Sequence, residues 1–340
     1  MLTKKPRTGF SPLQYGLMTA AALATLLACI CAGSVRVPPL EALAAIFGRA
    51  NGGMNDSIIL NVRVPRVLSV MLSGAMLSLA GGAMQGLLRN PLADGSTFGV
   101  SGGASLGATL SIALGLTIPG IAGGATSIMA VVFAFFSLAL ILGLAGRLDG
   151  TLSTNTIILV GVIFTMFANA ITSLIITFAG ERVRTIMFWT MGSLAGSTFR
   201  DVVWLGVSLL LFGAVILRYM SELNAFALGE ENARSVGVDV RRVKRWVLIA
   251  VSAMIGVSVS VGGTIGFVGL VVPHMTRMVV GADHRRLLPA TIFAGGIFLM
   301  LADLLSRVVL KPLELPIGVI TSFIGSIVFV FIFFKTGKVR

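Results

Sequence analysis

The sequence predicts an all-α polytopic membrane protein with about ten spanning helices. Three observations predict it. The 340 residues are 56% hydrophobic and only 11% charged, whereas a soluble domain is about 25% charged. Uncharged stretches are long: Gly95 to Gly146 carries no charge, and neither does Thr151 to Gly180. Those stretches also show no period-two alternation. A spanning segment must bond its own backbone groups, as a helix or a closed barrel, and long non-alternating apolar runs decide for helices.

A span needs roughly 20 apolar residues to cross about 30 Å of hydrocarbon. In order, the candidate spans are 13–33, 64–87, 96–116, 121–146, 154–178, 201–219, 246–262, 264–280, 288–306 and 315–334. The first follows Lys4, Lys5 and Arg7, yet it is too long for a secretory signal core and lacks a clear cleavage site. It therefore reads as a membrane helix. Its Cys29 and Cys31 have no further ligands nearby and read as small apolar side chains. Pro39 to Phe47 reads as a short interfacial helix. The second span carries small residues at Gly74, Ser78, Gly82 and Gly86, and Gly95 to Gly115 repeats the spacing at every fourth position. Such residues let helix backbones approach closely. The ladder drifts about 40° per step, so it meets more than one neighbour. Between the two ladders, Pro91 restricts Asn90 and ends the helix.

Pro119-Gly120 separates the third and fourth spans. Gly180 to Gly196 reads as a short helix dipping into one face. The polar segment from Ser221 to Arg245 reads as two short helices broken at Gly237. The eighth span contains Pro273, His274 and Arg277. In the ninth, Asp303 stands four residues before Arg307, the spacing of an intrahelical ion pair, which is favoured over a proton site.

An even number of spans puts both termini on one side. The positive-inside rule places them in the cytoplasm: in that orientation 17 of the 26 basic residues face inward. The asymmetry accounts for the net charge of +13 without nucleic acid. The chain has no G-x-x-x-x-G-K-[ST] loop, no G-x-G and no H-E-x-x-H. It therefore has no visible means of hydrolysing ATP, binding a dinucleotide or holding a catalytic metal. Mid-membrane carboxylates, the usual mark of ion coupling, are nearly missing. An ion-coupled secondary transporter is the alternative this scarcity disfavours; a membrane-embedded enzyme lacks any catalytic set. The polar 221–245 segment is the place for an energy-supplying partner.

"RVPRVLSVMLSGAMLSLAGGAMQGLLRNPLADGSTFGVSGGASLGA", "GTIGFVGLVVPHMTRMVVGADHRRLLPA" and "LADLLSRVVLKPLELPIGV" resemble the permease family of type II ABC importers, across essentially the whole chain. These carry iron–siderophore complexes, haem or cobalamin. The resemblance implies a single transmembrane permease domain over residues 1–340, in the type II importer permease fold, in the bacterial inner membrane. It implies a second permease copy, as a homodimer or with a paralogue. It also implies two cytoplasmic ATPase subunits, which bind the ATP and Mg, and an external substrate-binding protein. This chain would hold no cofactor and no metal and would be no enzyme. The pathway would be lined by the second, third, fifth and tenth spans and the short helix after the fifth. The second to fifth and seventh to tenth spans would be related halves of opposite orientation.

Site roles follow from the same resemblance. Arg63, Arg66 and Arg307 match docking arginines for the external protein, since Arg offers a rigid fork to carboxylates; snorkelling to lipid phosphates is the alternative. Asn90 and Leu92, with Ser153, Thr154 and Asn155, match the cytoplasmic gate, although the family commonly has a small hydroxyl where Asn155 stands. Ala227, Leu228, Gly229, Glu231, Ala233 and Gly237 match the segment that couples to the ATPase. Without the resemblance, Glu230, Glu231 and Arg234 read as a solvated helix face. Arg182, Arg184 and Trp189 are placed to meet cargo or headgroups. An iron–siderophore is the first expectation for cargo, with cobalamin or haem as alternatives.

Overall fold

The computed structural model describes residues 9–33, 37–48, 53–95, 98–120, 123–150 and 153–337. Lys4, Lys5, Arg7, Arg36, Arg49, Lys338 and Arg340 of the charge argument lie outside the described residues. Helix α1 (Pro12–Cys31) opens with a capping box, in which Ser11 N–H donates to the Gln14 side chain at 2.9 Å. The short α2 (Pro39–Ile46) is the expected interfacial element. α3 (Met54–Ile58) runs through a π turn at Ile59–Arg63 into α4 (Val64–Leu87).

α5 (Val100–Leu114), α6 (Gly124–Leu148) and α7 (Thr154–Phe178) follow, then the short α8 (Val183–Thr190) and α9 (Phe199–Arg218). α10 (Met220–Phe226) and α11 (Glu230–Ser235) form the polar connection. The chain ends with α12 (Val240–Gly262), α13 (Val268–Val280), α14 (His284–Val308) and α15 (Ile317–Gly337). Seven of these helices are long and apolar enough to span a membrane; α5, α13 and Ile317–Phe331 of α15 are shorter apolar helices. Together they are the ten spans the sequence predicts, with shifted ends.

The shifts have local causes. α5 begins at Val100 rather than 96, after Gly99 at φ 81, and α13 begins at Val268 rather than 264, after Phe267 at φ 67. A left-handed residue cannot continue a right-handed helix. With 15 and 13 residues, each rises only about 20 Å. The non-helical lead 263–267 is tolerated at this depth because it lines a cavity. In the polar connection the break lies at Ala227–Gly229, where Gly229 has φ 107. Gly237, expected to be that break, instead separates α11 from α12. α12 begins at Val240, and its first turns carry Arg241, Arg242, Lys244 and Arg245.

α4 is the central helix: 78% of its apolar window is buried, against 72% for α12, 22% for α9 and 11% for α1. It is antiparallel to α14, since Arg66 meets Asp303 and Gly86 meets His284. Backbone touches backbone along this seam. A Cβ on Gly81 would strike the Gly269 carbonyl of α13, and one on Gly74 would strike the Gly295 carbonyl of α14. The α5 ladder meets two neighbours, as its drift predicts. Gly103 and Gly107 lie against Ser137, Phe133 and Met129 of α6, while Gly99 also reaches Gly161 and Phe164 of α7.

The seam is testable. Gly81→Leu forces α4 and α13 apart and is expected to cost about 1–3 kcal/mol or more. Gly143→Leu, with open space around that position, is expected to leave thermal unfolding in detergent unchanged. Equal melting temperatures for the two variants would contradict the packing.

Candidate functional site

A cavity of about 950 Å³ opens among α5, α7, α8, α12, α13 and α15, with Leu77 of α4 at its wall. The second, third, fifth and tenth spans and the short helix surround it, as the resemblance implies, and α12 and α13 add to them. Its polar lining is mostly hydroxyl and amide, including Ser101, Ser105, Thr165, Asn169, Thr172 and Ser322. Asp94 is the charged side chain among its lining residues. Such walls offer neutral donors and acceptors set among apolar side chains such as Ile255, Val259 and Phe323. Arg182 and Arg184 are not among the lining residues. Arg182 Nη1 donates to the Ala113 carbonyl at 2.6 Å and caps the end of α5, while Arg184 lies over the Phe188 ring at 5.7 Å. Trp189 is half-buried in the bundle.

At the end of α4 where it meets His284, a second cleft of about 610 Å³ lies between the gate segments and the polar connection. Arg89, at φ 51, turns the chain out of α4. Asn90 Oδ1 then accepts the Leu92 N–H at 2.9 Å, an Asx turn that leaves Leu92 half exposed. Ser153 caps α7, accepting from the Thr156 N–H, while its own N–H donates to Asp149 Oδ2 at 3.1 Å. Ser153, Thr154 and Asn155 line the cleft opposite Leu228, Gly229, Glu230 and Glu231. The first-loop pair enters it only through Leu88 and Arg89; Asn90 and Leu92 are not among its lining residues.

Glu230 joins the two sides. Its Oε1 accepts from Thr154 Oγ1 at 3.2 Å and from Lys244 Nζ at 2.7 Å. Lys244 is 1% exposed on α12, so its charge depends on partners inside the protein. Glu230 is therefore not the solvated helix face that the residues alone suggest. Glu231 is exposed, as are Ala227, Leu228 and Gly237, while Ala233 is buried. Leu228 and Val236 present 69% and 70% of their surface, an apolar tip on a polar segment.

α10 is held separately. Asn224 Nδ2 donates to Asp283 Oδ1 at 2.6 Å, and Asn224 Oδ1 accepts the His284 N–H at 2.8 Å. Burial acts to raise the Asp283 carboxyl. The Arg285 N–H, the Asn224 amide and the charges of Arg285 and Arg286 outweigh it and hold the carboxyl below its ordinary value.

At the opposite end the three predicted docking arginines come together, but inside the chain. Arg63, Arg66 and Arg307 are 6%, 8% and 5% exposed. Arg63 Nη1 donates to the Ile30 carbonyl at 2.7 Å. Arg66 donates from Nε and Nη2 to Asp303 Oδ1 at 3.0 and 2.9 Å, and from Nη1 to Glu314 Oε2 at 2.7 Å. Arg307 Nε lies 3.0 Å from Asp303 Oδ2, the expected i,i+4 pair, and its fork reaches the Ala32 and Cys29 carbonyls. Within this chain, carboxylates and helix-end carbonyls accept from the three forks. Cys29 is fully buried and Cys31 half-buried, both free thiols. Among the described residues no group of three or more His, Cys, Asp or Glu is placed to hold a metal.

Sequence reasoning missed Lys244, Glu314 and Asp94 as site residues. Lys244 had a signal: it sits four residues after Val240 and three before Val247, on the face those buried valines define. A lysine on the apolar stripe of a helix requires a buried partner.

Ten apolar helices around a cavity of apolar side chains and hydroxyls, with a polar connection bonded to the first turn of α7, fit a membrane permease. The model of the FecCD transport family matches residues 21–335. The chain is 42% identical over 314 residues to the uncharacterized ABC transporter permease protein YvrB of Bacillus subtilis (strain 168), covering 90% of this chain and 89% of that one. It is 38% identical over 275 residues to the cobalamin import system permease protein BtuC of Halobacterium salinarum, covering 81% and 73%. A solved inward-facing conformation of a metal-chelate type ABC transporter superimposes with TM-score 0.84 at 30% identity, covering 96% of this chain and all of that one. The chain belongs to the FecCD transport family and is the membrane permease of an ABC importer.

Two predictions follow from the polar ends. Asp303→Ala removes the carboxylate that Arg66 and Arg307 share, leaving Arg66 with Glu314 and Arg307 with carbonyls alone, and is expected to cost about 3 kcal/mol, read by unfolding in detergent; a loss below 1 kcal/mol would contradict the triad. The depressed Asp283 value means its contribution is complete above the ordinary carboxylate range and is lost as pH falls through the lower folded value. Asp283→Asn should flatten the acid limb of the stability curve, and an unchanged limb would contradict the clamp.

Proposed function

We propose that this permease imports a metal chelate of the iron–siderophore class across the bacterial inner membrane, with both termini in the cytoplasm. A second permease copy completes the pathway. Two ATPase subunits, carrying ATP and Mg, seat on the α10–α11 tip, and an external substrate-binding protein delivers the cargo. The observation that carries the reading is the cavity of about 950 Å³, walled by apolar side chains with hydroxyls and amides among them, in a member of this family. Its mostly neutral wall suits a bulky polar chelate that is recognised elsewhere. The exposed Leu228 and Val236 beside Glu231 suit a protein partner, since an apolar tip at the membrane edge gains by being covered.

Docking at the outer end does not need free arginines. Arg66 and Arg307 pair with Asp303 and Glu314, while Arg63 and Lys311 donate to the Ile30 and Gly33 carbonyls: among these described side chains, four cations stand with two anions. That excess of +2 steers an acidic surface toward the rim.

Cobalamin, itself a cobalt chelate, is the second reading, favoured by the 38% identical cobalamin permease. Proteoliposomes with permease, ATPase and binding protein, loaded with ATP, decide between them. Uptake of radiolabelled iron–siderophore is expected. Uptake of labelled cobalamin alone would establish the second reading, and uptake of neither would overturn both.

A further inference from the structure

We infer that Asp94 sets the sign of the passage, so that the cavity admits neutral or cation-bearing chelates and holds back polyanionic ones; for the class of cargo this rests on the reading of the cavity as a chelate path.

Asp94 lies deep. It follows the turn that ends α4 at Leu87, yet it does not stay at that end of the helix. A Cβ on Gly269 would lie 3.0 Å from the Leu77 carbonyl and 3.7 Å from Asp94 Cβ. Leu77 stands ten residues before Leu87. It is therefore about 15 Å along the helix, half of a hydrocarbon core of about 30 Å. Gly95 likewise packs on Ile255 of α12. The chain from Leu88 to Gly95 thus folds back into the bundle. At such depth irregular backbone is tolerated where it lines a cavity or packs on protein, and an ionisable side chain there marks a functional position.

The rest of the wall does not oppose its sign. The hydroxyls and amides of the lining are neutral, and no Arg, Lys or His stands among the described lining residues. Asp94 also interacts within the protein; what the passage feels is its charge. The opposing effect comes from the starts of α5 and α13, where helix dipoles place partial positive charge. Their first N–H groups are already occupied. Those of Ser101 and Gly103 donate to the Gly95 and Gly99 carbonyls, and those of Leu270 and Val271 to the Phe267 carbonyl. A full charge outweighs such partial ones. Between apolar walls it is also screened less than in bulk water. Three hydroxamates balance ferric iron and give a neutral chelate, whereas three catecholates leave an excess of negative charge. The carboxylate repels the second kind and not the first.

The field is read in the isolated full-length permease in detergent. Cys29→Ala and Cys31→Ala remove the native thiols, and Ser101→Cys places one on the cavity wall beside Gly95. Its rate of modification by a cationic alkylammonium thiosulfonate is divided by the rate with an anionic sulfonate reagent of similar size. Taking the ratio cancels any change in the thiol itself. The ratio is expected to exceed that of a free thiol in solution and to fall about tenfold in Asp94→Asn. Asp94→Glu is expected to keep it, and high salt to compress it. A ratio that Asp94→Asn leaves within twofold overturns the inference, as does loss of the ratio in Asp94→Glu. The cargo class is read by protection of the same thiol. Excess neutral ferric tris-hydroxamate is expected to slow modification with Asp94 or Asn at the position, and ferric tris-catecholate only with Asn. Protection by the catecholate with Asp94 in place overturns the selection. Protection by neither chelate counts against the chelate reading of the cavity, while the reagent ratio still decides the sign.

Discussion

Where α4 crosses α13 and α14, no side chain stands between the backbones, and the rest of the structure is arranged around that condition. Gly81 against Gly269 and Gly74 against Gly295 place helix axes at a separation only glycine permits. Inside a membrane no hydrophobic drive presses helices together, because lipid is as apolar as leucine, so close contact itself does the holding. α4 thereby becomes a fixed spine shared with two neighbours. It is pinned by Arg66–Asp303 at one end and packed on His284 at the other. Motion has to occur elsewhere, and the candidates are the less buried α7 and the short helices α10 and α11.

The polar groups divide accordingly. At the arginine end, guanidinium groups are tied to carboxylates and helix-end carbonyls of α1 and α14. This ties the ends of α1, α4 and α14 together. At the other end, the polar contacts cross between helices that belong to different parts of the bundle. Glu230 spans α11, α12 and α7, and Asn224 spans α10 and α14. Between the ends, the cavity wall carries hydroxyls and Asp94. A stiff charged rim, an uncommitted passage and a jointed inner tip are the parts a conduit needs if the force comes from outside the chain.

Much of this was legible in the sequence, for physical reasons. Ten spans follow from charge-free length alone. The Asp303–Arg307 pair and the ladder contacts follow from helical period, which relates residues three or four apart. What stayed hidden depends on tertiary closure. Arg66 and Asp303 are 237 positions apart, and the spacing of 14 between Glu230 and Lys244 spans a turn that no period describes. The burial of Arg63, Arg66 and Arg307 was not legible, because nothing local reveals that Glu314 and the Ile30 carbonyl reach them. Gly229 and Gly237 both adopt positive φ, 107° and 87°, so the connection breaks at two glycines, whereas the sequence reading placed one break, at Gly237.

The central claim is that this chain supplies a path and a joint but no energy. The most direct measurement is uptake of labelled chelate into vesicles holding the permease and binding protein without any ATPase, under an imposed proton or sodium gradient. The account predicts no accumulation above the outside concentration. Uphill accumulation driven by either gradient would contradict it.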